Sequence, residues 1–165
     1  MTESELGEGS CFTVVIPFRL DRQAKAQEKE EAADADITGL RILVAEDNEL
    51  NMEIAEFVIQ SEGASVVKAW NGQEAVEACE KSASGEFDAI LMDVMMPVMN
   101  GYEATKTIRT MDRSDAKKIP IIAMTANAFS EDIRHSLTAG MNAHIAKPVD
   151  MKLLITMINE LKEAY

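Results

Sequence analysis

Long apolar runs and cysteines are both scarce in this chain of 165 residues. No apolar stretch reaches the roughly eighteen residues that a membrane-spanning helix requires. The first ten residues are acidic and have no apolar region behind a basic start, so they do not resemble a signal peptide. Two cysteines, Cys11 and Cys79, are too few for a disulfide framework or a zinc site. We therefore expect a cytoplasmic segment without membrane contact, although its parent protein could be anchored in the inner membrane.

Basic residues and histidines are also in short supply. The chain has 16 Lys and Arg residues against 29 Asp and Glu residues, which gives a formal net charge of −13. Because the phosphate backbone of a nucleic acid attracts positive charge, this balance argues against nucleic-acid binding. Hydrophobic residues nevertheless make up 47% of the chain, an ordinary share for a domain with a buried core.

The composition changes twice along the chain. Residues 1–20 end in a strand-like run from Phe12 to Ile16, which Pro17 closes. Residues 21–38 contain six acidic and three basic residues, with Ile37 as the one large apolar residue, so we predict a charged linker. A regular pattern begins at Gly39, and residues 39–165 are predicted to form one domain.

Five short apolar runs alternate with helical patterns in this domain, and Leu50, Ile54, Phe57 and Val58 mark the first helix by their spacing. The runs cover residues 41–45, 65–69, 89–92, 119–124 and 143–146. Strands that are apolar throughout are buried on both faces, as in a parallel sheet covered by helices. Five βα units are too few for an eight-stranded barrel. We predict an α/β fold of the flavodoxin-like type, a doubly wound five-stranded parallel sheet in the order 2-1-3-4-5 with helices on both faces.

Polar residues follow the predicted strands at the points where ligands bind in such sheets. Glu46 and Asp47 follow the first strand, Asp93 the third, Thr125 the fourth and Lys147 the fifth. In the predicted order the first and third strands are neighbours at the point where the winding reverses. The three carboxylates are therefore expected to converge in one crevice, with the threonine and the lysine on its far wall.

Crowded carboxylates need a neutralising partner, and Mg²⁺ prefers oxygen ligands of this kind. Lys147 adds positive charge and Thr125 a short hydroxyl, a set that suits phosphoryl transfer with Asp93 as the nucleophile. Each residue also has an ordinary explanation, such as a helix cap for Glu46 and Asp47 or a turn at Lys147. Taken singly these explanations are the better ones, but five such residues at successive strand ends make coincidence a poor account.

Four sequence runs resemble those of two-component response-regulator receiver domains, which have the CheY-like version of this fold. The runs are LVAEDN at 43–48, DVMMPVMNG at 93–101, MTA at 124–126 and AKP at 146–148. The resemblance extends over residues 39–165. It implies that Asp93 accepts a phosphoryl group and that Asp47, Asp93 and the backbone carbonyl of Met95 hold Mg²⁺.

The resemblance also assigns roles to the other residues of the set. Glu46 would assist the metal through water, and Thr125 and Lys147 would bind the phosphoryl oxygens. In the family, the threonine moves together with an aromatic residue three places before the lysine. That place holds His144 here instead of the commoner Tyr or Phe. Two interpretations stay open, a smaller pH-sensitive switch acting with Thr125 or a surface histidine without a switching role.

A shorter resemblance lies at the N-terminus. Residues 7–17, GEGSCFTVVIP, are similar to the last strands of a histidine-kinase ATP-binding domain. It implies that residues 1–20 are the C-terminal remnant of such a domain and that the receiver belongs to a hybrid sensor histidine kinase. Twenty residues cannot build an ATP site, so we expect no kinase activity from this chain. The receiver would catalyse only its own phosphorylation and dephosphorylation.

The resulting hypothesis is a relay module that takes a phosphoryl group from a phosphohistidine. The histidines of this chain, His135 and His144, do not look like kinase phosphoacceptors, so the donor would be the parent kinase, with a histidine phosphotransfer domain as a recipient. One alternative is a phosphatase of the haloacid dehalogenase type, which needs a second Asp where Met95 stands. The other is a scaffold that is not phosphorylated, against which the complete set of site residues argues.

Overall fold

The computed structural model describes residues 2–5, 9–12, 36–126 and 130–163. The chain divides into two units, Met1–Ala32 and Ala33–Tyr165. In the first unit, β1 (Thr2–Glu5) and β2 (Gly9–Phe12) pair antiparallel, with Thr2 opposite Phe12. The predicted strand-like residues 13–16 and most of the predicted linker lie outside the described residues.

The second unit alternates strands with helices, as the sequence predicts. Its elements are β3 (Arg41–Ala45), α1 (Glu49–Ser61), β4 (Ser65–Ala69), α2 (Gly72–Lys81), β5 (Ala89–Asp93), α3 (Gly101–Thr110), β6 (Ile121–Thr125), α4 (Ser130–Ala139), β7 (Ala143–Ala146) and α5 (Met151–Glu163). The five strands form one parallel sheet in the order β4-β3-β5-β6-β7. Counted from the first strand of this sheet, the order is 2-1-3-4-5, so the predicted fold is confirmed.

Alternate residues of the central strands face two separate cores. On one side, Leu43, Ile90 and Ile121 belong to a cluster with buried residues of α2 and α3. On the other side, Ile42 and Leu91 belong to a cluster with buried residues of α1 and α5. Because both faces are covered, β5 and β6 are buried along their whole length, which explains why these strands are apolar throughout rather than alternating.

Asparagine caps start three of the helices at the carboxyl edge of the sheet. The side chains of Asn48, Asn71 and Asn100 each accept a hydrogen bond from the backbone N–H three residues later. At Asn71 the bonding is reciprocal, because the carboxylate of Glu74 accepts hydrogen bonds from the side-chain amide of Asn71 and from the backbone N–H of Trp70. Asn71 and Glu74 therefore cap the start of α2 reciprocally.

The buried face of α1 differs from the face that the spacing of its apolar residues predicts. Leu50, Ile54 and Phe57 are exposed, Phe57 by 74%, whereas Met52 and Ile59 are fully buried. The helix prediction is correct, but three of the four residues on which it rested face solvent. Because α1 has apolar residues on two sides, its sequence alone does not show which side faces the sheet. In the structure the side with Met52 and Ile59 faces the sheet.

The second unit also begins earlier than Gly39, the predicted start of the domain. Ile37 is 1% exposed and packs in the core beneath α1 and α5. The backbone around it is held by bonds from Gly39 N to Gly63 O, 2.9 Å, and from Leu40 N to Ile37 O, 3.0 Å. The last residues of the predicted linker, 36–38, are therefore part of the folded unit.

Candidate active site

The acidic residues predicted to converge do lie together. Ala45 of β3 pairs with Met92 of β5, so Glu46 and Asp93 leave neighbouring strands at the same edge. Glu46, Asp47 and Asp93 each present a carboxylate oxygen, and these three atoms lie within 4.8 Å of one another. Glu46 and Asp93 are buried, whereas Asp47 is exposed.

Lys147 completes this cluster from the end of β7. Its Nζ donates to Oδ2 of Asp93 at 2.7 Å and also to Oε2 of Glu46. The backbone N–H of Lys147 bonds to the carbonyl of Thr125 at 2.8 Å, so the two residues leave adjacent strands side by side. Thr125 is buried at the end of β6. All five residues singled out by their positions therefore lie at one edge of the sheet.

Burial and the lysine act in opposite directions on Asp93. Desolvation raises the pKa of Asp93 above its ordinary value, and the hydrogen bond and charge of Lys147 oppose that rise. Burial by itself lowers the pKa of Lys147, but its bonds to Asp93 and Glu46 outweigh burial, and the pKa of Lys147 is raised. The ammonium therefore stays charged over a wide pH range and offsets the repulsion between the two buried carboxylates.

Glu46 is oriented by a residue that sequence reasoning missed. Oε1 of Glu46 accepts a bond from the side-chain amide of Asn51 at 3.0 Å and a longer one from the backbone N–H of Asn48 at 3.3 Å. Its other oxygen accepts from Lys147. The signal available in the sequence was an asparagine in the first turn of α1, five positions after Glu46.

The loop after Asp93 is closed at its base. The N–H of Gly101 donates to the carbonyl of Val94 at 3.0 Å, and a Cβ on Gly101 would collide with the carbonyl of Asp93. Within the loop, the N–H of Met95 donates to Oδ1 of Asp93 at 3.2 Å. Both oxygens of Asp93 therefore accept hydrogen bonds, one from the loop and one from Lys147.

The carboxylate oxygens of the acidic cluster are suitable ligands for a hard divalent cation. Three carboxylates supply oxygen atoms within a few ångströms of one another, and Mg²⁺ binds through one or two carboxylates while keeping several waters. Asp47 has no hydrogen bond or ion pair among the residues that the structure describes, and its exposed carboxylate is open to a cation. The cluster can therefore hold Mg²⁺ beside the carboxylate of Asp93.

His144 lies on the strand that leads to Lys147. It belongs to β7, pairs with Ala123 of β6 and is half-buried. It stands three positions before Lys147, with Ile145 and Ala146 between them. Its position beside β6 leaves open both interpretations of the histidine, as a switch or as a surface residue.

An apolar surface borders the acidic cluster. Leu50, Ile54 and Phe57 are exposed along α1. Beside them a groove runs between α1 and α5 and ends at the ion pair of Glu46 and Lys147. Its apolar lining consists of Ile54, Ala55, Val58, Ile59, Leu91, Met124, Pro148, Val149, Met151 and Leu154. Glu49 and Glu53 flank the stripe, and α1 contains no basic residue.

This fold, with a carboxylate cluster and a lysine at the switch point of its sheet, defines a CheY-like signalling domain. Residues 42–159 match the family model of the response regulator receiver domain, and the chain belongs to that family. It is thus a receiver domain of the phosphorelay type.

Relatives among curated proteins are sensor kinases of much greater length. Histidine kinase 1 of Arabidopsis thaliana is 36% identical over 76% of this chain, and the match covers 13% of that protein. The aerobic respiration control sensor protein ArcB of Escherichia coli is 34% identical over 95% of this chain and 19% of its own length. The chain thus spans less than a fifth of either relative.

Solved structures of receivers share the fold. The receiver domain of a sensor histidine kinase from Pseudomonas aeruginosa, with a magnesium ion in its active-site cleft, is 37% identical with a TM-score of 0.68, over 76% of this chain and 99% of that one. A co-crystal structure pairs the Saccharomyces cerevisiae phosphotransfer protein Ypd1 with the receiver domain of Ssk1. It matches at 30% identity with a TM-score of 0.66, over 76% of this chain and 90% of that one.

No helix among the described residues is long and apolar enough to cross a membrane. The family match and the relatives give no support to the haloacid dehalogenase alternative.

Proposed function

We propose that this chain accepts a phosphoryl group on Asp93 from a phosphohistidine and relays the signal onward. The observation that carries the proposal is the shared ammonium of Lys147, which binds Asp93 and Glu46 at the carboxyl edge of the sheet. A carboxylate at this edge of the sheet, held beside a cation, can receive a phosphoryl group whose charge the lysine neutralises.

The transfer is a displacement at phosphorus. A carboxylate oxygen of Asp93 forms a bond to the phosphorus atom of the phosphohistidine, the P–N bond breaks, and its electron pair returns to the imidazole ring. The Lys147 ammonium then binds a phosphoryl oxygen in place of the Asp93 oxygen that has reacted. The hydroxyl of Thr125 donates to another phosphoryl oxygen. Water can later attack the phosphorus atom of the acyl phosphate, which breaks its bond to Asp93, releases inorganic phosphate and restores the free carboxylate.

A bound Mg²⁺ would neutralise the charge that builds up on the phosphoryl oxygens. We assign its binding to the carboxylates of Asp47 and Asp93 and to the backbone carbonyl of Met95, with Glu46 assisting through water. The acidic cluster supports this assignment, as does the magnesium ion named for the similar Pseudomonas aeruginosa receiver.

The partners are proposed to be helical histidine phosphotransfer surfaces, on the parent kinase as donor and on a separate phosphotransfer domain as recipient. The exposed stripe of Leu50, Ile54 and Phe57 lies next to the site and offers an apolar area for a helix to cover. The co-crystal structure of a similar receiver with a phosphotransfer protein supports this class of partner. The rim of Glu49 and Glu53 favours a partner with basic residues around its own apolar face.

The wider protein is proposed to be a hybrid histidine kinase with a cytoplasmic receiver. Residues 1–20 would be the end of its ATP-binding domain and residues 21–38 the linker, of which Ile37 packs on the receiver. The kinase names of the relatives support this organisation. Movement of Thr125 toward the phosphoryl group, together with His144, is the proposed start of the conformational switch.

Intact-mass measurement after incubation with Mg²⁺ and phosphoramidate tests the proposal. One added phosphoryl group is expected on the unmodified chain, none on Asp93→Asn, and less after chelation of the metal. Asp88→Asn is the matched control, because Asp88 lies at the opposite end of β5. Lack of any mass gain with phosphoramidate or acetyl phosphate would refute the proposal. Rapid turnover of unrelated phosphate esters would support the phosphatase alternative instead.

A further inference from the structure

The loop between β5 and α3 carries a turn that its own sequence does not favour. The N–H of Met99 donates to the carbonyl of Pro97 at 2.7 Å, which closes a three-residue γ-turn around Val98. Val98 has a φ of +67°, in the left-handed region that β-branched residues rarely adopt. Its side chain is 84% exposed, so burial does not compensate the backbone conformation. Some other part of the fold must hold this turn.

The first residue of α2 lies directly behind the turn. The N–H of Gly72 donates to the carbonyl of Met99 at 3.0 Å. A Cβ placed on Gly72 would lie 2.5 Å from that carbonyl oxygen, 3.1 Å from the carbonyl oxygen of Asn100 and 3.0 Å from the Cβ of Ala104. Two of these atoms belong to backbone and cannot rotate away. Only glycine therefore permits this contact between α2 and the loop.

The loop has little freedom to absorb a displacement of Met99. Its base is closed by the bond from Gly101 to Val94, and the side chain of Met96 is buried in the core. Between these fixed points lies Met95, whose N–H already bonds to Asp93. A displacement of Met99 can therefore be absorbed only by the few peptide groups of the segment 95–98, which include the carbonyl of Met95 beside the acidic cluster.

We propose that Gly72 is a positioning residue for the metal site, because its contact with Met99 fixes the loop that presents the backbone carbonyl of Met95. The inference rests on the proposed function in one respect, the assignment of Mg²⁺ to this cluster. Gly72 touches neither the metal nor the reacting atoms. It acts by keeping the N-terminus of α2 close to the loop.

The test is a Mg²⁺ titration of the 165-residue chain, in which two-dimensional NMR measures the backbone amide chemical shifts of residues 93–96. Gly72→Ala is expected to bind Mg²⁺ about tenfold more weakly, the low end of the range for residues that orient metal ligands. Gly85→Ala is the matched control. Gly85 has a φ of +80° with open space around it, so alanine strains the backbone at the opposite edge of the sheet without touching the loop. Equal Mg²⁺ affinities in the two variants would overturn the inference.

A second measurement needs no variant and covers the case in which Gly72→Ala does not fold. If the contact between Gly72 and Met99 strengthens Mg²⁺ binding, then bound Mg²⁺ must strengthen that contact to the same extent, because coupling between two sites is reciprocal. Saturating Mg²⁺ should then slow hydrogen exchange of the Gly72 amide more than that of the Lys118 amide, which bonds to Asp115. Equal slowing of both amides contradicts the inference. Absence of any Mg²⁺-dependent shift in the unmodified chain would instead refute the proposed metal site.

Discussion

The Nζ of Lys147 lies 2.7 Å from Oδ2 of Asp93, although the two residues are 54 positions apart in the sequence. The same ammonium binds Glu46, so one cation holds two buried carboxylates at the edge of the sheet. Removal of the lysine leaves both acids without a counter-charge, whereas a divalent cation could replace it. This relationship makes the stability of the domain dependent on what occupies the acidic cluster.

Lys147→Met is expected to lower the free energy of unfolding by about 3 kcal/mol in the absence of metal, because the substitution leaves two buried carboxylates without a counter-charge. Saturating Mg²⁺ should raise the melting temperature of this variant by more than that of the unmodified chain, because the cation meets no competing ammonium. Urea unfolding and thermal melts measure both effects. Lys162→Met serves as the control, as it breaks a more exposed ion pair with Asp88. An equal effect of Mg²⁺ on both variants would contradict the prediction.

Val98→Asn should stabilise the domain by roughly 0.5 to 1 kcal/mol, because asparagine tolerates the left-handed conformation that valine resists. The exposed side chain of Val98 has little packing to lose. Val98→Ile keeps the β-branch and should leave the stability unchanged within about 0.5 kcal/mol. Thermal melts of the three proteins check the order, and a less stable Val98→Asn would mean that the turn is not strained.

The pair of Arg113 and Asp115 gives a pH-dependent contribution to stability away from the site. Arg113 binds the carboxylate at 2.5 and 2.8 Å, and the N–H of Gly85 donates to it at 2.6 Å. The hydrogen bond from Arg113, aided by Gly85, holds the pKa of Asp115 well below its ordinary value against the effect of burial. A depressed pKa in the folded state means that the stabilisation is present above the unfolded pKa of about 3.9 and is lost as the pH falls below it.

Asp115→Asn should therefore cost about 1.5 kcal/mol at pH 7, the low end for hydrogen bonds to charged groups. The difference from the unmodified chain should shrink steadily as the pH falls below 4. Urea unfolding at pH 7, 4 and 3 measures it, with Asp112→Asn as a neighbouring control. A difference that does not change with pH would show that Asp115 contributes through its shape and not its charge.

Cys79 is expected to be an unreactive thiol. Burial in the core raises its pKa from 9.0 to about 11, which lowers the thiolate fraction at pH 8 roughly a hundredfold. With Cys11→Ser, iodoacetamide should modify Cys79 rapidly in urea and very slowly in buffer. Similar rates in the two conditions would show that the core around α2 opens readily. Mass spectrometry follows the reaction directly.

Much of the fold could be predicted from local pattern, because parallel strands buried on both faces are apolar throughout. Once the strand order was inferred, the meeting of Glu46, Asp93 and Lys147 followed from geometry, since the carboxyl ends of parallel strands share one edge. The start of α2 is likewise predictable, because Asn71 and Glu74 have the three-residue spacing of a capping box. These features depend on residues close in sequence or on the topology of the sheet.

Other features depend on packing that no short pattern encodes. Ile37 is a lone apolar residue in a charged segment, and only the space beneath α1 and α5 explains its burial. The exposed Phe57 looks like a core residue until the face of α1 is known. The left-handed conformation of Val98 runs against its residue type, and the glycine that supports it, Gly72, lies 26 positions earlier. The contact of Asn51 with Glu46 likewise requires the path of the strand end.

The most direct test of the central claim locates the phosphoryl group itself. After reaction with phosphoramidate and Mg²⁺, borohydride reduces an aspartyl phosphate to homoserine, which peptide mass spectrometry can place in the sequence. Our account predicts homoserine at position 93 and unmodified side chains at Glu46 and Asp47. Homoserine at another position, or a phosphoryl group that survives Asp93→Asn, would contradict it.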